Sequence, residues 1–297
     1  MSALASKVLM IEPSRFYSNP ETWADNTFQK HESARNSQDL ALKEFFGLKV
    51  ALEDAGVTVQ VFKDPPDSVS PDSIFPNNWL STHAQGLMVT YPMRAMNRRL
   101  ERRPQVIEAL RRNYSNHIDL SPYELQGHFL EGTGSLLLER ASKTAFACLS
   151  ERTHQNLIDI WAKQLNYKVI TFQARDHGMS VYHTNCMMGL TLKRALICLE
   201  AVSSESQRQA LISALEGLGR EVLDLSIAQM ESYCANVLEL QNAQGGEVLV
   251  MSDRAYFSLT PNQRQTLEQD SALVHCPLNT IEDCGGGSAR CMLAELF

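Results

Sequence analysis

A four-part unit recurs along this chain and constrains its fold more than any other feature. Each unit has two strand-like segments, then an amphipathic helix, then a third strand, and the pattern can be counted five times. Apolar residues at helical spacing predict helices over 37–56, 154–166, 204–219 and 260–270, and each leads into a short apolar strand. Because the pattern repeats while side-chain identities do not, the sequence predicts an α/β protein with structural repetition, as a single domain over 1–297.

One of the five units contains a dense group of arginines. The segment RRLERRPQVIEALRR, residues 98–112, is predicted to be a helix, and HIDL follows it as a strand. We interpret the arginines as a solvated helix face, because the chain has 34 acidic against 27 basic side chains and a net charge of −7. We therefore expect no nucleic-acid partner. No membrane partner is expected either, because no apolar run approaches the roughly 20 residues of a membrane helix.

The seven cysteines are spread along the chain without a C-x-x-C pair. Several lie inside apolar strand-like segments, as is typical of reduced, buried thiols in a cytoplasmic protein. The spacing of His183 and Cys186, and the adjacent pair His275 and Cys276, do not match paired zinc ligands. We expect a cytoplasmic protein without a metal site, and the sequence leaves open whether copies associate into a homo-oligomer.

The last cysteine, Cys291, follows three consecutive glycines in DCGGGSARCM. Glycine lets a backbone take left-handed angles and approach a ligand closely, so this run could present the thiol to a pocket. A nucleophilic cysteine needs a base, and His183 in VYHTNC shares one face of a predicted strand with Asn185. The alternatives are a core cysteine behind an ordinary turn and a buried histidine with satisfied hydrogen bonds.

Two further polar stretches could complete such a site. Glu131 precedes a Gly-Thr-Gly turn in LEGTGSLLLER, which ends at Arg140. A long loop over 63–78 ends in PDSIFPNN, where Asp72, Asn77 and Asn78 lie close together in sequence. Long loops within compact domains often carry function. Each stretch read alone could also be a solvated turn, and Arg140 a surface residue at a strand end.

Together these stretches resemble the motifs of the guanidino-modifying, or pentein, superfamily, which includes arginine deiminase, dimethylarginine dimethylaminohydrolase, glycine amidinotransferase and citrulline hydrolases. PDSIFPNN resembles P-D-S-V-F-x-E-D, LEGTG resembles E-G-G-D, HTN resembles H-x-D, and GGGSARCM resembles G-G-P-R-C-M, in the order of the family. The resemblance implies a five-bladed, pseudo-symmetric α/β propeller of ββαβ units around a central active site. It also implies a small amino-acid substrate and a nucleophile supplied by the protein, so that no cofactor is expected.

Position by position, the resemblance implies roles for individual residues. Cys291 would be the nucleophile, His183 the general acid and base, and Glu131 the acid that supports them. The resemblance and the amide chemistry imply substrate contacts at Asp72, Asn77, Asn78, Arg140 and Asn185. Among these, Asp72 would hold the substrate's α-amino group and Arg140 its carboxylate, since a planar guanidinium suits a carboxylate.

Several acids of the family motifs are replaced in this chain. The E-D pair becomes Asn77 and Asn78, the aspartate of H-x-D becomes Asn185, and the aspartate of E-G-G-D becomes Gly134. An amide offers donors and an acceptor, which complement a neutral ureido group better than a cation. The sequence therefore favours hydrolysis of citrulline to ornithine, ammonia and carbon dioxide through an S-carbamoyl-cysteine. The alternatives are an arginine deiminase or arginine dihydrolase, then an amidinotransferase or a non-catalytic propeller binding protein.

Overall fold

A computed structural model describes residues 4–30 and 36–297 of the protein. The strands in this part are β1 (Lys7–Glu12), β2 (Thr58–Lys63), β3 (Leu80–His83), β4 (Leu87–Thr90), β5 (Asn116–Asp119), β6 (Leu137–Glu139), β7 (Thr144–Cys148), β8 (Lys168–Phe172), β9 (Arg175–Asp176), β10 (Met179–Ser180), β11 (Met188–Leu190), β12 (Arg194–Ile197), β13 (Glu221–Asp224), β14 (Leu238–Gln241), β15 (Glu247–Ser252), β16 (Ala272–Cys276) and β17 (Ala294–Leu296).

The α-helices alternate with these strands, and short 3₁₀ turns lie between them. The α-helices are α1 (Ser37–Asp54), α2 (Pro104–Arg111), α3 (Gly132–Ser135), α4 (Gln155–Leu165), α5 (Thr184–Met187), α6 (Glu205–Gly217), α7 (Ile227–Glu231), α8 (Asp253–Ser258), α9 (Pro261–Glu268) and α10 (Asn279–Gly285). The 3₁₀ turns are Pro20–Thr22, Pro76–Asn78, Asn97–Glu101, Ser121–Gln126, Leu199–Ala201 and Ala289–Met292.

Five three-stranded sheets of one topology organise the fold. Their strand orders are β17-β1-β2, β3-β4-β5, β6-β7-β8, β11-β12-β13 and β14-β15-β16. In each sheet the middle strand pairs antiparallel with the first strand and parallel with the third. A parallel pair needs a crossover, which α1, α2, α4, α6 and the pair α8–α9 supply. The prediction of an α/β protein with five repeated units is therefore confirmed.

The C-terminal segment completes the first sheet. Strand β17 pairs antiparallel with β1, with Ala294 opposite Leu9. Alternation along β1 sends Val8 into one buried cluster and Leu9 into another, so this strand is covered on both faces. Burying such a side chain stabilises the fold by about 1.5–3 kcal/mol. The last residues are thereby fixed in the core, immediately after the predicted nucleophile.

The arginine-rich segment differs from its prediction as one solvated helix. A 3₁₀ turn, Asn97–Glu101, is followed by a break, and α2 begins only at Pro104. Proline lacks a backbone N–H and disfavours helical angles in the residue before it, and Arg103 is accordingly extended. The break leaves Arg98 free to point inward, where it is buried.

Two observations bear on the environment of the protein. All seven cysteines are buried and none forms a disulfide. In the described part of the chain, no helix is both long and apolar enough to cross a membrane.

Candidate active site

Four of the sequence-predicted residues meet at one small pocket. Asp72, Asn78, His183 and Cys291 all line it. Short helical turns that hold or adjoin Asn78, Glu131, His183 and Cys291 share one position in the repeat, before the first strand of a unit. Pro76–Asn78 precedes β3, α3 precedes β6, α5 precedes β11 and the turn Ala289–Met292 precedes β17. The repeated topology thus brings residues from distant parts of the chain to one place.

The glycine run fixes the approach to Cys291. Gly286 ends α10 in a left-handed conformation, with φ of +66°, which a residue with a side chain adopts only at a cost. A Cβ on Gly287 would lie 3.2 Å from the Cβ of Cys291 and 2.9 Å from the ring of Phe75. The run therefore allows both the turn and the close packing around the thiol, as the sequence predicts.

Two amides donate hydrogen bonds to the thiol. The Nδ2 group of Asn236 lies 3.2 Å from Cys291 Sγ, and that of Asn185 lies 3.4 Å away. Asn236 is itself fixed, because it also donates to the carbonyl of Asn185 and its Oδ1 accepts from the backbone N–H of Arg290. Hydrogen-bond donors stabilise a thiolate relative to a thiol. Sequence reasoning missed Asn236, although it lies directly before β14, the position that carries site residues in the other units.

A histidine–glutamate pair lies beside the thiol. His183 Nε2 donates to Glu131 Oε2 at 2.8 Å, and both side chains are buried. An ionised carboxylate only accepts, so Nε2 carries the proton and Nδ1 is free to exchange a proton in the pocket. His183 precedes α5, and Asn185 lies in that helical turn, so the prediction of a shared strand face is wrong. The turn nevertheless brings both side chains to the site.

Two buried arginines set the charge of this pair. Burial raises the pKa of Glu131, but Arg152 at 3.6 Å, the His183 hydrogen bond and Arg98 at 3.8 Å together bring it below its ordinary value. Burial lowers the pKa of His183, and the two arginines add to this, against the opposing effect of Glu131. Near neutral pH the resting pair is therefore an ionised glutamate and a neutral imidazole.

Arg98 belongs to the site, and its interpretation as a solvated residue is wrong. Its Nε donates to Glu101 at 2.8 Å, and one Nη donates to Asn78 Oδ1 at 3.0 Å. A buried guanidinium is costly unless carboxylates and hydrogen bonds compensate it, and Asp72 lies 3.7 Å away as a second carboxylate. By holding Oδ1, Arg98 fixes the amide of Asn78. The Nδ2 group of Asn78 has no hydrogen-bond partner among the described residues and can donate to a ligand.

Asp72 has one oxygen available in the pocket. Its Oδ2 accepts from Asn19 Nδ2 at 2.7 Å, whereas Oδ1 is buried without a hydrogen-bond partner in the described part of the chain. Burial raises the pKa of Asp72 despite the opposing effect of Arg98. A cationic group of a ligand would satisfy this oxygen.

Arg152 is a second site residue that sequence reasoning missed. It is buried, donates from Nε to Asp25 at 2.9 Å, and lies over the ring of Tyr182 at 4.7 Å. Its segment, SERTH, carries no motif, and only the folded chain brings it to Glu131.

Three predicted substrate residues, Asn77, Arg140 and Asn185, do not line the pocket, although Asn185 donates to the thiol. Arg140 donates to the carbonyl of Thr82 at 3.2 Å, pairs with Glu295 at 3.3 Å and lies over the ring of Phe297 at 4.0 Å. Asn77 is buried, and neither end of its amide has a hydrogen-bond partner within residues 4–30 and 36–297. Within the described residues neither Arg140 nor Asn77 hydrogen-bonds to Cys291, and their contact with a substrate stays a prediction.

Gly134 shows why one family acid has no room here. A Cβ at this position would lie 2.5 Å from Asn78 Nδ2 and 2.8 Å from His183 Nδ1. Real Cβ atoms do not approach other atoms so closely, so the asparagine and the histidine occupy the space that a side chain at 134 would need. The replacement of aspartate by glycine is therefore coupled to the placement of Asn78.

The fold and the residues gathered at this pocket are those of the guanidino-modifying superfamily. A model of the family described as eukaryotic N,N dimethylarginine dimethylhydrolase matches residues 12–297, and the chain belongs to that family. A search of curated proteins found no match.

Solved structures share the fold at low sequence identity. ArgZ, an arginine dihydrolase from the ornithine-ammonia cycle in cyanobacteria, is 16% identical with a TM-score of 0.77, and the match covers 97% of this chain and 40% of ArgZ. Unliganded AgrE is 20% identical with a TM-score of 0.77, covering 98% of this chain and 39% of AgrE. A dimethylarginine dimethylaminohydrolase adduct with S-methyl-L-thiocitrulline is 14% identical with a TM-score of 0.66, covering 99% and 100%. The chain thus spans about two fifths of ArgZ and AgrE, and the similarities show a common α/β fold.

Proposed function

We propose that this protein hydrolyses the side chain of arginine to ornithine in two successive C–N cleavages on one thiol. The observation that carries the proposal is that Cys291 and His183 line one pocket, the thiol held by two amides and the imidazole paired with Glu131. Arginine takes precedence over the citrulline expected from the sequence because ArgZ, whose fold this chain shares, is described as an arginine dihydrolase.

The charge around the pocket supports a cationic substrate. Buried carboxylates outnumber buried guanidiniums, with Asp25, Asp72, Glu101 and Glu131 against Arg98 and Arg152. Arg94 adds one partly exposed positive charge, 3.2 Å from Asp25, and burial raises the pKa of Glu101 to about 7, so an excess of negative charge develops as Glu101 ionises near that pH. A guanidinium group entering a low-dielectric pocket needs such compensation. The unpartnered oxygen of Asp72 is the natural contact for the cationic end or the α-ammonium of arginine.

In the first hydrolysis, the Cys291 thiol would pass its proton to His183 Nδ1, and the resulting thiolate would attack the guanidino carbon and form a C–S bond. One terminal nitrogen then leaves as ammonia with a proton from His183 Nδ1, since a poor amine leaving group needs general acid catalysis. Water, losing a proton to the now neutral imidazole, attacks the remaining amidino carbon. The C–S bond breaks, citrulline forms and the thiol is restored.

In the second hydrolysis, the thiolate would attack the ureido carbon of citrulline. His183 protonates the δ-nitrogen, which leaves as the amine of ornithine, and an S-carbamoyl-cysteine remains. A second water molecule hydrolyses this thioester to carbamate, which decomposes to ammonia and carbon dioxide. The complete reaction converts one arginine and two waters into ornithine, two ammonia and carbon dioxide, and every bond change falls on one carbon.

A citrulline hydrolase that performs only the second cleavage is the second candidate. The side-chain donors at the thiol are the amides of Asn185 and Asn236, and the free Nδ2 group of Asn78 also lines the pocket. Amide donors complement the carbonyl oxygen of a ureido group, which a carboxylate would repel. This observation favours the ureido step, which both candidates share.

We further propose that the five sheets are the blades of a five-bladed propeller with the pocket at its centre. The support is the common position of the site-bearing turns, each directly before the first strand of its unit. The seven disulfide-free thiols support a cytoplasmic location. Association into a homo-oligomer stays a prediction.

One experiment distinguishes these functions. The purified protein is incubated separately with arginine, citrulline and N,N-dimethylarginine, and ornithine, citrulline, ammonia and dimethylamine are quantified. Cys291→Ala is the inactive variant, and Cys198→Ala is the matched control, because Cys198 is also buried but does not line the pocket. Ornithine from arginine with two ammonia per turnover supports the dihydrolase. Ornithine from citrulline alone supports the second candidate, and dimethylamine alone, or no product from folded protein, refutes both.

A further inference from the structure

Three side chains that could bind a metal ion converge away from the proposed active site. Asp176 ends β9, His177 is in the turn to β10, and Glu231 ends α7. His177 Nε2 lies 2.7 Å from Glu231 Oε1 and 3.7 Å from Asp176 Oδ1. One donor atom of each residue lies within 4.8 Å of the others. This spacing brings two carboxylates and one imidazole into a single cluster with His177 at its solvent-facing side.

The buried member of the cluster, Asp176, has one oxygen without a hydrogen-bond partner among the described residues. Asp176 is only 5% exposed, and its Oδ1, the oxygen nearest His177, has no hydrogen-bond partner among the described residues. Its other oxygen accepts a long bond, at 3.5 Å, from Thr27 Oγ1. A buried carboxylate oxygen without a partner is costly and points to a ligand.

No basic side chain compensates the two carboxylates. Within residues 4–30 and 36–297, neither Asp176 nor Glu231 forms an ion pair with a lysine or an arginine, and His177 is the partner of both. Most buried or partly buried carboxylates elsewhere in this protein face an arginine, as Glu131 and Asp25 do. The cluster therefore has negative charge that a cation would neutralise.

We propose that Asp176, His177 and Glu231 bind a divalent transition-metal ion of the Zn²⁺ class, with water as the fourth ligand. Tetrahedral zinc with bonds of about 2.0–2.1 Å has donor atoms about 3.3 Å apart, and the two distances at His177 lie on either side of that value. An imidazole nitrogen selects zinc-like ions over Mg²⁺ and Ca²⁺, which prefer oxygen ligands. On binding, the metal ion takes the lone pair of Nε2, and the ring proton resides on Nδ1.

The proposed metal site adjoins the pocket without sharing a residue with it. Asp176 contacts Thr27, and the neighbouring Asn26 lines the pocket and donates to the carbonyl of Gly285. A metal ion would link the β9–β10 hairpin to α7 next to this pocket wall. The inference does not depend on the proposed reaction, because none of its ligands takes part in it.

The test is zinc titration by calorimetry, with cobalt absorption as a second readout. All proteins carry Cys291→Ala, so that the pocket thiol cannot bind the ion. We expect one Zn²⁺ per chain, a rise in melting temperature with Zn²⁺, and the visible bands of tetrahedral Co²⁺. Adding His177→Ala or Glu231→Gln should weaken binding at least tenfold and abolish the rise. The matched control adds His275→Ala, because His275 is a partly exposed histidine with a single carboxylate partner, Asp253 at 2.6 Å.

Two results would overturn the proposal. One is a folded parent that binds no Zn²⁺ at concentrations that saturate a micromolar site. The other is a metal ion that binds elsewhere. Zn²⁺ binding would then be unchanged in the His177→Ala and the Glu231→Gln variants, or it would be lost equally in the His275→Ala variant.

Discussion

Replacing Glu131 by glutamine is expected to inactivate the proposed hydrolase by disabling His183 rather than by unfolding the protein. The carboxylate lies 2.8 Å from His183 Nε2 in a buried site. At an effective dielectric constant of about 20, a carboxylate and an imidazolium at this distance attract by about 6 kcal/mol. Glutamine keeps the size and a hydrogen-bonding group but removes that attraction.

The loss acts on the form of His183 that donates a proton. Without this attraction the imidazolium is less stable, so Glu131→Gln should lower the pKa of His183 further. That pKa already lies below the ordinary value because of burial. The imidazolium that protonates the leaving nitrogen would then be scarce, and general acid–base catalysis contributes about 10²–10⁴-fold. We expect kcat for ornithine release to fall at least about 100-fold.

The assay is steady-state ornithine and ammonia release as a function of pH, with thermal unfolding measured in parallel. Glu101→Gln is the matched control, because Glu101 is a buried glutamate that pairs with Arg98 at 2.8 Å but does not contact His183. Both variants leave Arg98 with one carboxylate fewer, so both should lose stability, while only Glu131→Gln should lose the proton transfer. A folded Glu131→Gln enzyme with more than a third of the wild-type kcat would refute the assignment, as would an equal loss of kcat in Glu101→Gln.

Three further changes test other parts of the site. Asn236→Ala should slow the alkylation of Cys291 by iodoacetamide at least tenfold at neutral pH, because a hydrogen bond to a charged group contributes about 1.5–3 kcal/mol. An unchanged alkylation rate, measured by mass spectrometry, would contradict this. Gly134→Ala, whose methyl would lie 2.8 Å from His183 Nδ1, should abolish turnover, whereas Gly217→Ala, which meets nothing within 4 Å, should not. Burial raises the pKa of Glu282 to about 7, so the folded state retains a proton that the unfolded chain has lost, and stability falls as pH rises from about 4.5 to 7. The melting temperature of Glu282→Gln should vary less than that of the wild-type protein over this pH range. An equally steep decline would show that Glu282 is not the group that titrates.

Local patterns in the sequence predicted most elements but not where the chain turns inward. Apolar spacing located α1, α4, α6 and α9 to within a few residues, because an amphipathic face is a property of a continuous segment. The prediction of one solvated helix over 98–112 was wrong because it relied on the density of charged residues in the segment. The burial of Arg98 depends on Asp72 and Glu101, one of them far away in sequence.

In the candidate site, too, residues within short sequence motifs were predicted, whereas residues placed by contacts distant in sequence were missed. Cys291, His183 and Glu131 were found because each lies in a motif with its own short pattern. Asn236 lies in YCANV, which has no such pattern, and its role follows from three bonds, to Asn185, Arg290 and the thiol. The available signal was the repeat itself, since this residue precedes the first strand of its unit, as the other site-bearing turns do.

This placement explains why the fold alone does not decide the substrate. Each unit contributes a residue to the candidate site, and the strands behind these residues are fixed by core packing that depends on apolar pattern and volume. Solved structures can therefore share the fold with this chain at 14–20% identity. In this chain Asn78, Asn185 and Asn236 bring amides to the pocket, while Asp72 and Glu131 keep its carboxylates. Preference for a guanidino or a ureido carbon should therefore move with single exchanges between amide and acid in these turns, with little effect on the strands that hold them.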